Sequence, residues 1–419
     1  MRRVRQIIFF VAVWFVRLAV PLTAADDSLL IVKVSVPGSI FSSQALTNVE
    51  AACRHLALNQ TAESAAALRR AAEEMPASPL IADLKTAADL LVPASGESMT
   101  KPKSSGAGSV PFFALMPGNE HSPPRAFLGI PLPREQVWLT PYLEEPARLR
   151  PDLPEKMPGV SADMTALPAV RMVDLVAASH AESLSAWITS PDGSGMVAVF
   201  RNLVVAYGRD HLEKTAPDVL SAPWSRHVDE KALEWLVAMH RVAHGLGPLA
   251  VRKDTGEEMV SVASEMGGNA RRLETIKADG LAFLAGLRLA RTQTGFGLSA
   301  EKITATYVMY LLDRTLHGST EQKKALQPLL SQMIADGGIR MDLKSGRLIP
   351  DSRRMRESVK KMVQRVVQIQ GNGSAKEAEE LLARSVFQID KDDLIVALKH
   401  RGISGFRLVA DVTDSNEKK

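Results

Sequence analysis

The chain reads as a mainly helical α+β protein, and three observations lead there. Apolar residues make up 46% of the 419 and aromatic residues only 5%, with Ala, Leu and Val abundant. That composition suits helices better than an all-β sandwich. From Val228 to about Arg384 the apolar residues recur at helical spacing with few interruptions,. A shorter region, Ser183 to Tyr207, carries β-type segments instead: AWIT, a PDGSG turn and MVAVFRNLVV. This predicts a hairpin about Asp192-Gly193. A chain of this length buries a sizeable core and divides into two or three domains.

Taken in order, residues 1–25 stand apart. Arg2, Arg3 and Arg5 precede an apolar run, Ile7 to Val16, and PLTAA supplies small residues before Asp26-Asp27. The pattern is that of a secretory signal peptide, so the product is expected to be exported, periplasmic or secreted. The alternative is an N-terminal membrane anchor, but Arg17 interrupts the run well short of the roughly 20 residues a spanning helix needs. The segment holds four of the 51 basic residues and no acid. Without it, 47 basic residues face 47 acidic ones, and the basic pI lends no support to nucleic-acid binding,. No other segment is long and apolar enough to span a bilayer,.

Residues 26–93 form an N-terminal helical cap region. It opens on a plausible strand, LLIVKVSV, and turns helical from about Ser43 to Leu91. TAESAAALRRAAEEMP resembles paired tetratricopeptide helices ending at Pro76, but no second copy of the period follows,. A small cap packed on the main domain is the simpler expectation. Cys53, the only cysteine, rules out an intramolecular disulfide and reads as buried filler,. Residues 94–110 (ASGESMTKPKSSGAGSV) are a linker,. Residues 111–225 are expected to form a mixed α/β lobe whose proline-rich first half has short elements. Residues 226–415 form a helical lobe that closes on a short helix near Asp393–His400 and a strand-like GFRLVADV.

One stretch of the helical lobe carries chemistry. Asp229 can cap a helix that runs to His244, with Gly245 in the left-handed C-terminal position and Pro248 beyond it,. Leu233, Leu236, Val237, His240 and His244 then share one face,. Two histidines one turn apart can bind one metal ion, although H-x-x-x-H alone is a weak signal and buried histidines are often satisfied by carbonyls. The flanking residues sharpen it. AMHRVAHGLGP resembles the H-E-x-x-H-G-L-G-P segment of zinc metallopeptidases related to dipeptidyl peptidase III, especially their shorter bacterial and Nudix-fused relatives. GMVAVFRNLVVAYG upstream, RRLETIKADGLAFLAGL downstream and the later MIADGGIRMDLKSGRL resemble that family's segments in the same order, over roughly residues 180–415.

The resemblance implies a zincin-like helical lobe facing a smaller β-containing lobe across a cleft that holds a peptide, often as an added strand. It implies that His240 and His244 are zinc ligands. It also exposes two departures. The general-base glutamate is replaced by Arg241, which cannot accept a proton from water,. The third ligand is replaced by Thr275, with Glu274 and Asp279 retained on either side. Asp279, four residues from Thr275 and so on the same helix face, is the candidate replacement ligand. Glu265 is a remote candidate base, and His317 lies only near the family's later histidine. The expectation is a degenerate, exported metallopeptidase homologue, inactive or weakly active, with zinc possible and a peptide or protein as partner. The alternatives are an active zinc hydrolase using His240, His244 and Asp279, and a helical protein-interaction module. A basic run on a helical stretch, Arg353, Arg354, Arg356, Lys360, Lys361 and Arg365, lacks interleaved aromatics and reads as a solvated face,.

Overall fold

The protein is described by a computed structural model covering residues 30–31, 42–75, 78, 80–91, 111–116, 125–132, 160–161, 169–179, 184–189, 195–252, 259–292, 297–342 and 344–389. The expected signal peptide, the linker, most of LLIVKVSV, the turn at Asp192-Gly193 and the C-terminal helix and strand lie outside these residues. The described residues fall into two compact units. One is drawn from 1–137 and 169–206, the other from 138–168 and 207–406. Helices predominate, with a small mixed sheet, so the fold is the mainly helical α+β one.

In the first unit, the expected N-terminal helices are three: α1 (Ser43–Ala57), α2 (Thr61–Glu74) and α3 (Leu80–Leu91). Their small alanines let them pack closely. Ala45, Val49, Ala52, Cys53, Leu56, Ala65, Leu68, Ala71, Leu80 and Leu84 make one buried cluster that continues onto Phe113, Leu128 and Val176 of the sheet. The helices therefore cover a sheet face. That sheet is built from β1 (Leu30–Ile31), β2 (Phe112–Met116), β3 (Arg125–Pro131), β5 (Ala169–Ala178), β6 (Ser185–Thr189) and β7 (Gly195–Phe200). Its order is β2-β3-β5-β7-β6, with β1 also on β5. β6 and β7 pair antiparallel, as the hairpin expectation requires, whereas β5 and β7 run parallel.

MVAVFRNLVV is not strand throughout. The chain turns helical at Arg201, forming α4 (Arg201–Tyr207). Asn202 explains the switch. Its amide group donates to the carbonyl of Leu175 (2.9 Å) and accepts from the same residue's N–H (3.0 Å), which ties the helix start to β5. Leu203, Val204 and Tyr207 then share a buried face. A short apolar run does not by periodicity alone distinguish strand from helix, and a side-chain clamp decided this one.

The second unit is organised around one long helix, α9 (Gly268–Thr292). It follows the short elements α5 (Glu213–Val219), α6 (Ala222–Ser225) and α8 (Val262–Met266), and the histidine-bearing α7 (Glu230–Ala243). Every residue from Ile276 to Leu287 is buried, because α7, α10 (Ala300–His317), α11 (Thr320–Ala335), α12 (Ser352–Asn372) and α13 (Ala375–Ile389) all pack on it. Gly280 permits the closest approach. A Cβ there would lie 2.5 Å from a methyl of Val363 on α12. The small sheets are β4 (Val160–Ser161) with β8 (Pro248–Arg252) and β9 (Met259–Ser261), and the hairpin of β10 (Ile339–Met341) and β11 (Leu348–Pro350). No helix among the described residues is long and apolar enough to cross a membrane.

Candidate functional site

The site begins with the cap of α7. The Asp229 carboxylate accepts from Ala232 N–H (3.0 Å), which sets where the helix starts and hence which side chains its buried face presents,. That face carries Leu233, Leu236 and Val237 inward and brings His240 and His244 to its last turn. The C-terminal exit differs in detail from the sequence expectation. The left-handed residue is Gly247 (φ +96°), not Gly245, and Pro248 opens β8. Only glycine suits position 247, because a side chain there would also meet the Lys277 ammonium at 3.2 Å,. Lys277 is fully buried and donates to the Leu246 carbonyl, so the HGLGP loop wraps one lysine of α9.

Across from α7, α9 presents Glu274 and Asp279. Asp279 Oδ1 lies 3.2 Å from His240 Nδ1, and Glu274 Oε1 lies 3.5 Å from His244 Nδ1. Neither contact is a hydrogen bond: His240 Nδ1 and Glu274 Oε1 have no hydrogen-bond partner, and Asp279 Oδ2 has none either. On the opposite side of the rings, the two Nε2 atoms face each other at 3.1 Å. Carboxylates beside Nδ1 favour the proton there. Two Nε2 lone pairs would then meet, an arrangement that only a shared proton or a cation satisfies.

The carboxylates are already neutralised by the chain. Arg314 of α10 donates to Asp279 (2.6 Å) and lies 4.8 Å over the Tyr310 ring. Lys277 pairs with Glu274 (2.8 Å), and Gln370 of α12 donates to the same carboxylate (3.0 Å). Burial by itself would raise the Asp279 carboxyl, but Arg314 and His240 outweigh it and hold the group well below the usual carboxylate range. Glu274 is lowered in the same way, against its burial, by Lys277 and His244. Burial pushes His240 down to about 4 despite Asp279, so its imidazole is neutral at pH 7. Burial also lowers the Arg241 guanidinium, and the neighbouring cations Arg314 and Arg271 act in the same direction.

The other sequence candidates are placed as follows. Thr275 donates its hydroxyl to the Arg271 carbonyl of its own helix (3.0 Å). Asp279 stands on the Nδ1 side of His240 rather than beside the facing Nε2 atoms. Glu265 is exposed on α8, with its side chain against Gly373 at the end of α12. His317 is the last residue of α10. The basic run of α12 is largely matched by acids, with Arg353 on Glu357, Arg354 by Asp351, Lys361 by Asp336 and Arg365 on Glu377. Arg314 and Gln370 were not anticipated. Both reach the site from helices that are distant in sequence, and only the tertiary packing reveals them.

A zinc ion of the kind the resemblance implies needs three protein donors and a base near its water. Two imidazoles with carboxylates behind them are suitable as far as they go. The third position carries a hydroxyl engaged with its own backbone, and the base position carries a cation. Among the described residues no group of three or more His, Cys, Asp or Glu side chains is arranged to hold a metal ion. The described donors therefore fall short of the set that the resemblance implies for catalytic zinc.

Comparison with known proteins bears on the scaffold. No family model matches the chain, and no curated protein matches it by sequence. Solved structures do match. Dipeptidyl peptidase III from Caldithrix abyssi superimposes with a TM-score of 0.69 over 82% of this chain and 68% of that one, at 16% identity. The enzyme from Corallococcus sp. strain EGB gives 0.66 over 82% and 67%, at 18% identity. The chain therefore has a dipeptidyl-peptidase-III-like fold, a helical unit together with a β-containing one.

Proposed function

We propose that this chain is an exported, non-cleaving relative of dipeptidyl peptidase III that retains the capacity to bind a peptide. One observation carries the reading. The two groups on which hydrolysis depends, a third anionic donor and a proton acceptor, are replaced by Thr275 and Arg241 on a scaffold that is otherwise like the peptidases. Binding and bond cleavage draw on different groups, so loss of the second leaves the first intact. Purified protein lacking residues 1–25, stripped of metal and reloaded with zinc, is expected to release no dipeptides from oligopeptides by mass spectrometry. Sustained, chelator-sensitive release would defeat the reading. Export is tested separately by N-terminal sequencing of the product recovered outside the cytoplasm, which is expected to begin near Asp26.

A second reading is favoured by the facing Nε2 atoms, 3.1 Å apart. In it, His240 and His244 clamp a zinc ion in an enzyme with a rearranged ligand set. One bound equivalent on metal analysis would favour it, and a much smaller fraction would remove it.

A further inference from the structure

The end of α11 and one face of α12 border a cavity of about 200 Å³ that shares no residue with the histidine site. Asp336, the C-cap of α11, lines one side, and Arg354, Glu357, Ser358 and Lys361 of α12 line the other. Those four recur three, four and seven residues apart, so they share one face of their helix,. Gly337 brings the two sides together. Its backbone is left-handed (φ +69°), and a Cβ there would lie 2.8 Å from Arg354 Nη1, so the guanidinium rests against the chain next to Asp336,.

The charges in this cavity balance, but they are poorly joined. Lys361 Nζ stands 3.8 Å from Asp336 Oδ2, and Arg354 Nε stands 3.8 Å from Asp351 Oδ2, both too long for a hydrogen bond,. Glu357 accepts one long bond, from Arg353 at 3.4 Å. Asp336 Oδ2 and the Ser358 hydroxyl are buried and have no hydrogen-bond partner. Buried polar atoms in that state are uncommon, and both residues line space that a ligand can fill,. Two cations beside two carboxylates favour neither a bare anion nor a bare cation, because each is repelled as well as attracted. They complement a molecule that carries both charges a few bonds apart. The volume is below the roughly 300–1,000 Å³ of pockets for drug-sized ligands, so that molecule is small.

We propose that this cavity binds a small zwitterionic α-amino acid, with its carboxylate on the Arg354 fork and its ammonium between Asp336 and Glu357. The proposal is independent of the peptide-binding reading above.

Calorimetric titration of the protein lacking residues 1–25 with L-alanine, N-acetyl-L-alanine, L-alaninamide and inorganic phosphate tests it. Alanine is expected to bind at least about tenfold more tightly than either derivative, since each has lost one charge and the hydrogen bond it assists. Arg354→Met should weaken alanine about tenfold and leave alaninamide unchanged. Glu357→Gln should weaken alanine and leave N-acetylalanine unchanged. Both side chains are more than half exposed, so the variants are expected to fold, which their melting temperatures check. No binding of alanine at up to about 10 mM, tenfold above a millimolar dissociation constant, overturns the proposal. Equal binding of alanine and its two derivatives also overturns it, as does alanine binding that both variants leave intact. Phosphate binding that depends on Arg354 and exceeds that of alanine identifies an anion site and overturns it too.

Discussion

Arg314 and Asp279 show what one buried ion pair controls. Asp279 is 3% exposed and Arg314 11%, and their 2.6 Å contact sits behind His240. Removing one partner leaves an uncompensated buried charge, at a cost of about 3–5 kcal/mol. Arg314→Met is therefore expected to lower stability by that order in urea titration, and adding Asp279→Asn should recover a substantial part. Full additivity of the two losses would show that the pair is not coupled. The site departures can be reversed at the same scale. On the proposed reading, Arg241→Glu alone is expected to leave metal content low, because Thr275 supplies no anionic donor. Arg241→Glu with Thr275→Glu should bind about one equivalent of zinc, three donors being the catalytic complement. Cys53 gives a pH prediction. Burial, then Glu50, pushes its thiol up to about 12 from an ordinary value near 9.0. The thiol thus favours folding fully below pH 9, and that contribution is lost as pH rises from 9 toward 12. The slope is about 1.4 kcal/mol per pH unit. The stability difference between the native chain and Cys53→Ala should shrink across that window, and a difference flat in pH would contradict the burial argument.

At the level of elements, α9 is the helix on which the site depends. It carries Glu274, Lys277 and Asp279 within two turns and is enclosed by five other helices. Its register against α12 is allowed by Gly280. Gly280→Ala would force Val363 or the helices apart, at about 1–3 kcal/mol, and should also loosen the Gln370 contact to Glu274. Chemical denaturation checks the first effect, and amide hydrogen exchange at α12 checks the second. Gly280→Ala paired with Val363→Ala should regain most of the loss if the contact is the cause. Much of α9 could be read in advance, since its apolar residues run at helical spacing. The strand-to-helix switch at Arg201 could not, because it depends on Asn202 reaching the backbone of Leu175, 27 residues away.

For the whole molecule, the central question is whether the helical unit needs an ion to be stable. The carboxylates around the histidine pair are neutralised by Arg314 and Lys277, and the core of α7, α9, α10 and α12 is closed by apolar side chains. A ligand that binds only the folded state raises stability by RT ln(1 + [L]/Kd). Chelation is accordingly expected to leave the melting temperature unchanged, and added zinc to shift it little. A rise of several degrees on adding zinc would indicate a tight site. In the β-containing unit, helices α1 to α3 share one buried cluster with the sheet. Deleting residues 43–91 should expose Phe113, Leu128 and Val176 and drive aggregation, which size-exclusion chromatography would detect.

The helical class and the capped helix ending in two histidines were readable from residue order. Each rests on local periodicity or local capping. Which side of His240 Asp279 approaches, which cations hold the two carboxylates, and that Gly247 rather than Gly245 turns left-handed were decided only by the tertiary structure. The physical reason is that these depend on contacts made by Arg314, Lys277 and Gln370 across separate helices, and no local spacing encodes the packing of one helix on another.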